Sequence, residues 1–160
     1  MQGPEIAIDG LALPLRGTIR CDKATAAVAA LCATGMVAPE MVDQAVRGGL
    51  QSLSWPGRVH VVNQAPIVVF DGAHNAESAD QLVSALQSSF GKRRAHWLLG
   101  MSRGKDVQGF LDAVTRHAAS ITTTTASHER SVGAEDLAAL ARGMNRTLAL
   151  ESEVTAIPSP

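Results

Sequence analysis

The chain has 160 residues and a formal net charge of −1, with 46% hydrophobic and 18% charged residues. This balance predicts a globular protein of one domain, or one domain plus a piece of a neighbouring one. Without a basic run, and with only three Phe and two Trp for base stacking, the composition argues against a nucleic-acid partner. The two cysteines have no CxxC spacing, which favours a reducing compartment over a disulfide framework.

The amino-terminal stretch MQGPEIAIDG has neither the basic region nor the apolar region of a signal peptide. The longest weakly apolar run, residues 24–38, is shorter than the roughly 20 residues that span a membrane. We therefore expect a cytoplasmic protein with no membrane partner.

The first 50 residues predict an extended segment followed by two helices. The extended segment covers residues 1–17. The first helix covers residues 22–34, with Asp22 as its cap. The second begins at Pro39 and ends at Gly48-Gly49.

The pattern changes after SWPGR, residues 54–58, which is a turn signal and a predicted domain boundary. RVHVVNQ, residues 58–64, alternates as a strand does, and the turn Gln64-Ala65-Pro66 follows. IVVF, residues 67–70, is a continuous β-branched and aromatic run. Such a run predicts a strand that is covered on both faces.

Helices and strands then alternate along the chain. Asn75 is predicted to cap a helix that ends at Gly91, and a strand follows at residues 95–101. Asp106 is predicted to cap the next helix, and a Thr-rich strand follows at residues 120–126.

A last helix has Glu135 and Asp136 near its positive end. A strand is predicted at residues 147–151, and residues 154–160 read as a frayed tail. The alternation predicts the α/β class, with a Rossmann-like, mostly parallel sheet and flanking helices.

Polar side chains concentrate in three loops that each follow a predicted strand and precede a predicted helix. The loops are residues 71–75, 102–106 and 127–131. Because ligands of open parallel sheets bind beyond the carboxyl ends of the strands, these loops are the candidate site. Their polar and charged residues are Asp71, His74, Asn75, Arg103, Lys105, Asp106, His128, Glu129 and Arg130.

The loop at residues 71–75 has the chemistry of a nucleotide site. Gly72 allows close approach of a ligand to the backbone, and the following helix start favours a phosphate. Asp71 could accept hydrogen bonds from a ribose, and His74 could donate to a phosphate or an oxyanion. The alternative is structural: Asp71 and Asn75 cap a turn, and His74 is a solvated loop residue.

The other candidates also have two interpretations. Arg58 could clamp a phosphate or stack on a base, or it could be a surface residue beside a structural Trp-Pro turn. Lys105-Asp106 could hold a phosphate or could simply begin a helix, and residues 128–130 could be a solvated loop. The five histidines show no metal-ligand spacing, so no metal site is predicted.

Four stretches together resemble the carboxy-terminal domain of folylpolyglutamate synthase/dihydrofolate synthase, a family of the ATP-dependent Mur ligase superfamily. They are WPGR (55–58), PIVVFDGAHNAESADQL (66–82), GMSRGKDV (100–107) and HERSVGAEDLAALA (128–141). Residues 1–50 are more loosely similar to the end of that family's central ATPase domain. The resemblance implies three segments, namely a central-domain remnant at 1–53, a Mur-ligase-like α/β domain at 54–151 and a flexible tail at 152–160.

In this family ATP phosphorylates a substrate carboxylate, and the amino group of glutamate attacks the acyl phosphate to form an amide. The resemblance implies that ATP is bound by Arg58, Asp71, Gly72 and Asn75. It implies that His74 lies near the phosphates or the reacting centre as a catalytic residue. It places on the amino-acid side Lys105, Asp106, Arg130 and Ser131.

The sequence also departs from the family pattern. It contains no phosphate loop of the GTNGKGS type and no counterpart of the central domain's magnesium ligands. No match to the family's last strand–helix–strand unit is found after residue 150. Residues that differ from those usual in the family are Ile19, Arg20, Lys23, Ala76 and Gly104.

We therefore expect the carboxy-terminal part of a ligase that adds glutamate to folate or pteroate, inactive alone, with Mg²⁺ held mainly by a missing domain. The expected partners are ATP, glutamate and folate, together with a missing amino-terminal half or a second copy of the chain. The alternative is a non-catalytic nucleotide-binding or protein-interaction module derived from that domain.

Overall fold

The computed structural model describes residues 8–11, 13–14, 19–148, 150 and 152–157. Most of the extended segment predicted at residues 1–17 lies outside these residues. The chain divides into two compact units, Met1–Asp71 and Gly72–Pro160. The segment limits predicted at residues 53/54 and 151/152 stay predictions.

The first unit contains two helices, α1 at Ile19–Thr34 and α2 at Val42–Gln51, with a 3₁₀ turn at Pro39–Met41 before α2. Both helices were predicted, but the cap at Asp22 is wrong, because Asp22 lies inside the first turn of α1. Gly35 follows α1 with a φ of 65°, a conformation that glycine adopts without steric cost.

The predicted end of α2 at Gly48-Gly49 is also wrong, because the helix continues to Gln51. Neither glycine has a positive φ, and a glycine without the left-handed conformation weakens a helix rather than ending it. The Ser52 hydroxyl lies 3.0 Å from the Gly48 carbonyl oxygen and 3.2 Å from that of Gly49. These contacts supply partners for the carbonyl groups at the helix end.

Strands β1 (His60–Gln64) and β2 (Ile67–Phe70) form an antiparallel hairpin. The connection is Ala65-Pro66, whose peptide bond is cis. A two-residue connection requires antiparallel pairing, so β2 is not a strand of a parallel sheet here. The expectation that IVVF is covered on both faces is wrong, since Ile67 is 45% and Phe70 60% exposed.

The second unit is an α/β layer with a three-stranded parallel sheet, which confirms the predicted fold class. Its elements in chain order are α3 (Ala76–Phe90), β3 (Ala95–Leu99), α4 (Val107–Thr115), β4 (Ala118–Thr124), α5 (Ala134–Thr147) and β5 (Glu153–Ile157). The strand order is β3-β4-β5. Helix α3 packs on α4, α4 packs on α5, and α5 covers β4 and β5.

The core of this unit lies between the sheet and the helices. Leu111 of α4, Ile121 of β4 and Leu137 of α5 are each 0% exposed. Burial of such a side chain contributes about 1.5–3 kcal/mol. The central strand β4 therefore joins the helices into one apolar cluster.

The carboxy-terminal region differs from the prediction. Helix α5 runs through to Thr147, so the strand predicted at residues 147–151 is wrong at its start. Residues 149 and 151 of that prediction lie outside the described residues. The frayed tail predicted at residues 154–160 is wrong for residues 154–157, because they belong to Glu153–Ile157, which pairs in parallel with β4 as β5. Buried Ser152 directs this pairing, because its hydroxyl donates to the Ala118 carbonyl at 2.8 Å and its own carbonyl accepts from Asn145 Nδ2 at 2.7 Å.

Helices α3 and α4 approach each other closely at their amino-terminal ends. A Cβ on Gly109 would lie 2.9 Å from the Ala76 Cβ and would overlap the Asp106 carboxylate. Asp106 is the N-cap of α4, as predicted, and its Oδ1 accepts from the Gly109 N–H at 2.9 Å. Because a side chain at position 109 would contact both neighbours, glycine is what lets the two helix starts come together.

We predict that Gly109→Ala lowers the free energy of unfolding by about 1–3 kcal/mol, through overpacking against Ala76 and loss of the Asp106 cap. Urea unfolding followed by circular dichroism measures this. The matched control is Gly143→Ala in α5, where the nearest atom to an added Cβ is Arg146 Nη2 at 3.9 Å. The control should raise stability by up to about 1 kcal/mol, because alanine favours a helix over glycine. Equal gains in both variants would contradict the close approach.

Candidate functional site

The first unit places Arg58 and Asp71 next to the same backbone segment. Asp71 Oδ2 accepts from the Val59 N–H at 2.7 Å, and Val59 follows Arg58 in the chain. Arg58 is half-buried, and its Nη1 lies 3.4 Å from the Gly57 carbonyl oxygen. Asp71 thus holds the backbone of the residue that follows Arg58.

Val59 has an unusual backbone conformation, with a φ of 45°. A β-branched residue rarely adopts the left-handed region, and such residues cost about 1–3 kcal/mol and persist where the surroundings hold them. Val59 is also 5% exposed, so both its buried side chain and the bond to Asp71 hold it in place. Asp71 therefore has a structural role in addition to any role in binding.

In the second unit Asn75 caps α3, as predicted. Its Oδ1 accepts from the Ser78 N–H at 2.8 Å, and the Ser78 Oγ accepts from the Asn75 N–H at 3.1 Å. This reciprocal pair is a capping box. The capping interpretation that the sequence left open for Asn75 is thus correct, and a side chain used in this way contributes about 1 kcal/mol.

His74 lies in the same hydrogen-bonded turn. Its backbone N–H donates to the Ser78 Oγ at 3.0 Å, and its ring Nδ1 lies 2.9 Å from the Gly72 carbonyl oxygen. The residue is exposed. The ring is therefore oriented by the loop itself while its outer edge faces solvent.

The loops after β3 and β4 are paired with each other. Ser102 and Ser131 form an antiparallel bridge, and the Arg103 N–H donates to the Arg130 carbonyl at 2.6 Å. Ser131 is 7% exposed, which leaves its side chain little access to solvent. Two of the three predicted loops thus come together at the carboxyl edge of the sheet, as expected for consecutive parallel strands.

Among the described residues, the cations at this edge form no ion pair with a carboxylate. Arg103, Lys105 and Arg130 are exposed. Within the part of the chain that the structure describes, the ion pairs are Arg47–Asp43 and Arg116–Asp112. Arg103, Lys105 and Arg130 therefore remain available to an anionic ligand, and the amino-terminal ends of α4 and α5 favour the same charge.

Within the described residues, no cluster of three or more His, Cys, Asp or Glu side chains could hold a metal ion. Over the same residues, no helix is long and apolar enough to cross a membrane.

Three residues that matter to the site's geometry had no assigned role in the sequence interpretation: Val59, Ser78 and Gly109. Ser78 could have been recognised from its position three residues after the Asn75 cap, the spacing of a capping box. Val59 and Gly109 could not, because a positive φ at valine and a contact between two helices depend on the folded chain.

The second unit has the architecture of an α/β domain with exposed cationic side chains at the carboxyl edge of a parallel sheet. Residues 57–159 match the family model "Mur ligase, glutamate ligase domain". The chain belongs to this family, and the resemblance inferred from its motifs is confirmed.

Curated relatives of the chain carry the name dihydrofolate synthase/folylpolyglutamate synthase. The chain is 35% identical over 104 residues to the dihydrofolate synthase/folylpolyglutamate synthase of Escherichia coli, covering 65% of this chain and 23% of that protein. It is 32% identical over 140 residues to the Mycobacterium tuberculosis enzyme of the same name, covering 86% of this chain and 29% of that protein.

A solved structure of the same family has a similar fold. The folylpolyglutamate synthase of Mycobacterium tuberculosis complexed with ADP and AMPPCP superposes with a TM-score of 0.83 and 27% identity, over 94% of this chain and 33% of that one. The chain thus spans about a quarter to a third of the length of the relatives it matches.

We predict that Asp71→Ala makes the Val59 amide exchange with solvent about 10- to 100-fold faster, since a hydrogen bond to a charged acceptor is worth about 1.5–3 kcal/mol. Hydrogen-exchange NMR measures this. Asp71→Asn is the control, because it keeps an acceptor oxygen and should slow or restore exchange relative to alanine. Unchanged protection in Asp71→Ala would show that the bond does not hold Val59.

We predict that Asn75→Ala lowers the free energy of unfolding by about 1 kcal/mol through loss of the capping box. Asn75→Asp should keep stability within a few tenths of a kcal/mol or raise it, because aspartate caps helices about as well and its charge suits the helix start. Denaturant unfolding compares the two variants. An equal loss of unfolding free energy in Asn75→Ala and Asn75→Asp would mean that the Asn75 amide group stabilises the fold through a contact other than the helix cap.

Proposed function

We propose that the chain is the carboxy-terminal part of an ATP-dependent ligase that adds glutamate to folate or pteroate through an acyl phosphate. The observation that carries this proposal is the family match over residues 57–159. It is supported by cations at the carboxyl edge of the second unit that form no ion pair with any described residue. Relatives that are named dihydrofolate synthase/folylpolyglutamate synthase support this substrate class. Because the proposed ligase joins the amino group of glutamate to a carboxylate, the reaction it implies is amide formation.

The nucleotide role rests on Arg58, Asp71, Gly72 and Asn75. A solved folylpolyglutamate synthase that is complexed with ADP and AMPPCP supports a nucleotide ligand for the family. In this chain the Arg58 guanidinium can neutralise phosphate, and the hydrogen bond that the Val59 N–H donates to Asp71 orients the segment that carries Arg58. His74, beside the start of α3, is the proposed catalytic residue.

The amino-acid role rests on Lys105, Asp106, Arg130 and Ser131. Glutamate carries two carboxylates, and Lys105 and Arg130 are exposed cations on neighbouring loops. Asp106 and Ser131 act differently in this scheme. Asp106 caps α4, and buried Ser131 pairs the two loops, so both position the cations rather than contact the substrate.

Magnesium is assigned no residue of this chain. Within the described residues no side-chain cluster fits a metal ion, so no step is derived through the ion. The sequence also contains no glycine-rich loop that ends in Gly-Lys-Ser/Thr to hold the β- and γ-phosphates of ATP. The proposed role is therefore part of a nucleotide and glutamate site, with no turnover by the chain alone.

We predict that ATP at millimolar concentration shifts the amide resonances of Asp71, Gly72 and His74 in NMR spectra. Arg58→Ala should weaken this binding at least tenfold, because it removes a cation next to the phosphates. The matched control is Arg93→Ala, which makes the same charge change at an exposed residue after α3 and should leave the affinity unchanged. Absence of any shift at these residues would contradict a nucleotide role.

The absence of turnover is tested separately. Purified chain mixed with ATP, folate and glutamate should release no ADP above background in a coupled assay. Sustained release would contradict the proposal that the chain holds only part of the site, while leaving its nucleotide-binding role intact.

A further inference from the structure

The hydrogen bond of the His74 ring defines which ring nitrogen carries the proton. Nδ1 lies 2.9 Å from the Gly72 carbonyl oxygen. A carbonyl oxygen can only accept, so Nδ1 must be the donor and must carry a hydrogen. In the neutral ring Nε2 then has a free lone pair and no proton.

A second histidine in the same unit has the opposite arrangement. The Arg130 backbone N–H donates to His128 Nδ1 at 3.1 Å. A nitrogen that accepts cannot carry a proton, so the neutral His128 ring is protonated at Nε2. The chain therefore contains two exposed histidines whose loops select different tautomers.

Backbone hydrogen bonds to Ser78 fix the loop around His74. Ser78 Oγ accepts from the His74 N–H at 3.0 Å and from the Asn75 N–H at 3.1 Å. These bonds orient the backbone that follows Gly72. They thereby help to place the His74 ring against the Gly72 carbonyl group. The exposed edge of the ring is left to present Nε2 to a ligand.

We infer that His74 acts through Nε2 as an acceptor for an N–H or O–H group of the bound ligand, and not as a donor to phosphate. Donation to a phosphate from Nε2 would require the doubly protonated ring. In a site for ATP and an amino acid, the ligand groups that can donate a hydrogen bond to Nε2 are an amine and a hydroxyl. Phosphate oxygens have no proton to donate.

In the proposed ligase reaction, on which this step rests, His74 Nε2 accepts a proton from the attacking amine. The amine nitrogen forms a bond to the acyl carbon, the bond from that carbon to the phosphate oxygen breaks, and phosphate leaves with the electron pair. The proton lost by the amine goes to His74 Nε2, which becomes an imidazolium. General bases of this kind typically contribute about 10²- to 10⁴-fold to a rate.

Long-range ¹H–¹⁵N NMR of the ¹⁵N-histidine-labelled full chain tests the inference, because it separates the two neutral tautomers and the imidazolium. Spectra are recorded at about pH 8, where model imidazoles are neutral. His74→Gln and His128→Gln assign the two signals. We expect the Nδ1–H tautomer for His74 and the Nε2–H tautomer for His128 in one spectrum.

Two results would overturn the inference: an Nε2–H or tautomer-averaged ring at His74, or its conversion to imidazolium when ATP is added. ATP that shifts backbone amides of residues 71–75 and leaves the His74 tautomer unchanged would support it. Absence of any ATP-dependent shift would contradict the proposed nucleotide role instead, and the tautomer measured in the free chain would still decide the inference. The two failures are therefore distinguishable.

Discussion

The close approach of α3 and α4 at Gly109 is the contact on which the arrangement of the second unit's loops depends. Only a hydrogen at this position leaves room for both the Ala76 methyl group and the Asp106 carboxylate. The Asn75 cap and the Asp106 cap therefore begin neighbouring helices. This contact brings the loop that carries His74 and the loop that carries Lys105 to one side of the α-helical layer.

Short hydrogen bonds then fix the backbone of each loop. The Ser78 hydroxyl and the Gly72 carbonyl orient His74, and the pairing of Ser102 with Ser131 joins the loops of Lys105 and Arg130. In the first unit, Asp71 holds the backbone that follows Arg58. Several residues predicted to bind ligand thus also hold the loop backbone, so a substitution at one of them changes structure and binding together.

The sequence predicted the local features well and the long-range ones less well. The caps at Asn75 and Asp106 and the end of α3 at Gly91 are confirmed, because each depends on a few adjacent residues. The predictions of a covered β2, of an end of α2 at Gly48-Gly49 and of a strand that starts at residue 147 are wrong. Strand partners and helix ends depend on contacts such as those of Ser52 and Ser152, which lie outside the pattern of apolar residues.

By itself, the sequence determined the α/β class, the three polar loops after strands and the family, because alternation, capping residues and motif spacing are local properties of the chain. Only the tertiary structure decided that Asp71 supports a left-handed Val59, that Ser131 is buried, and that the ring nitrogens of His74 and His128 carry their protons in opposite arrangements. These features depend on which donor meets which acceptor. That pairing is set when the folded backbone brings separate atoms within hydrogen-bonding distance.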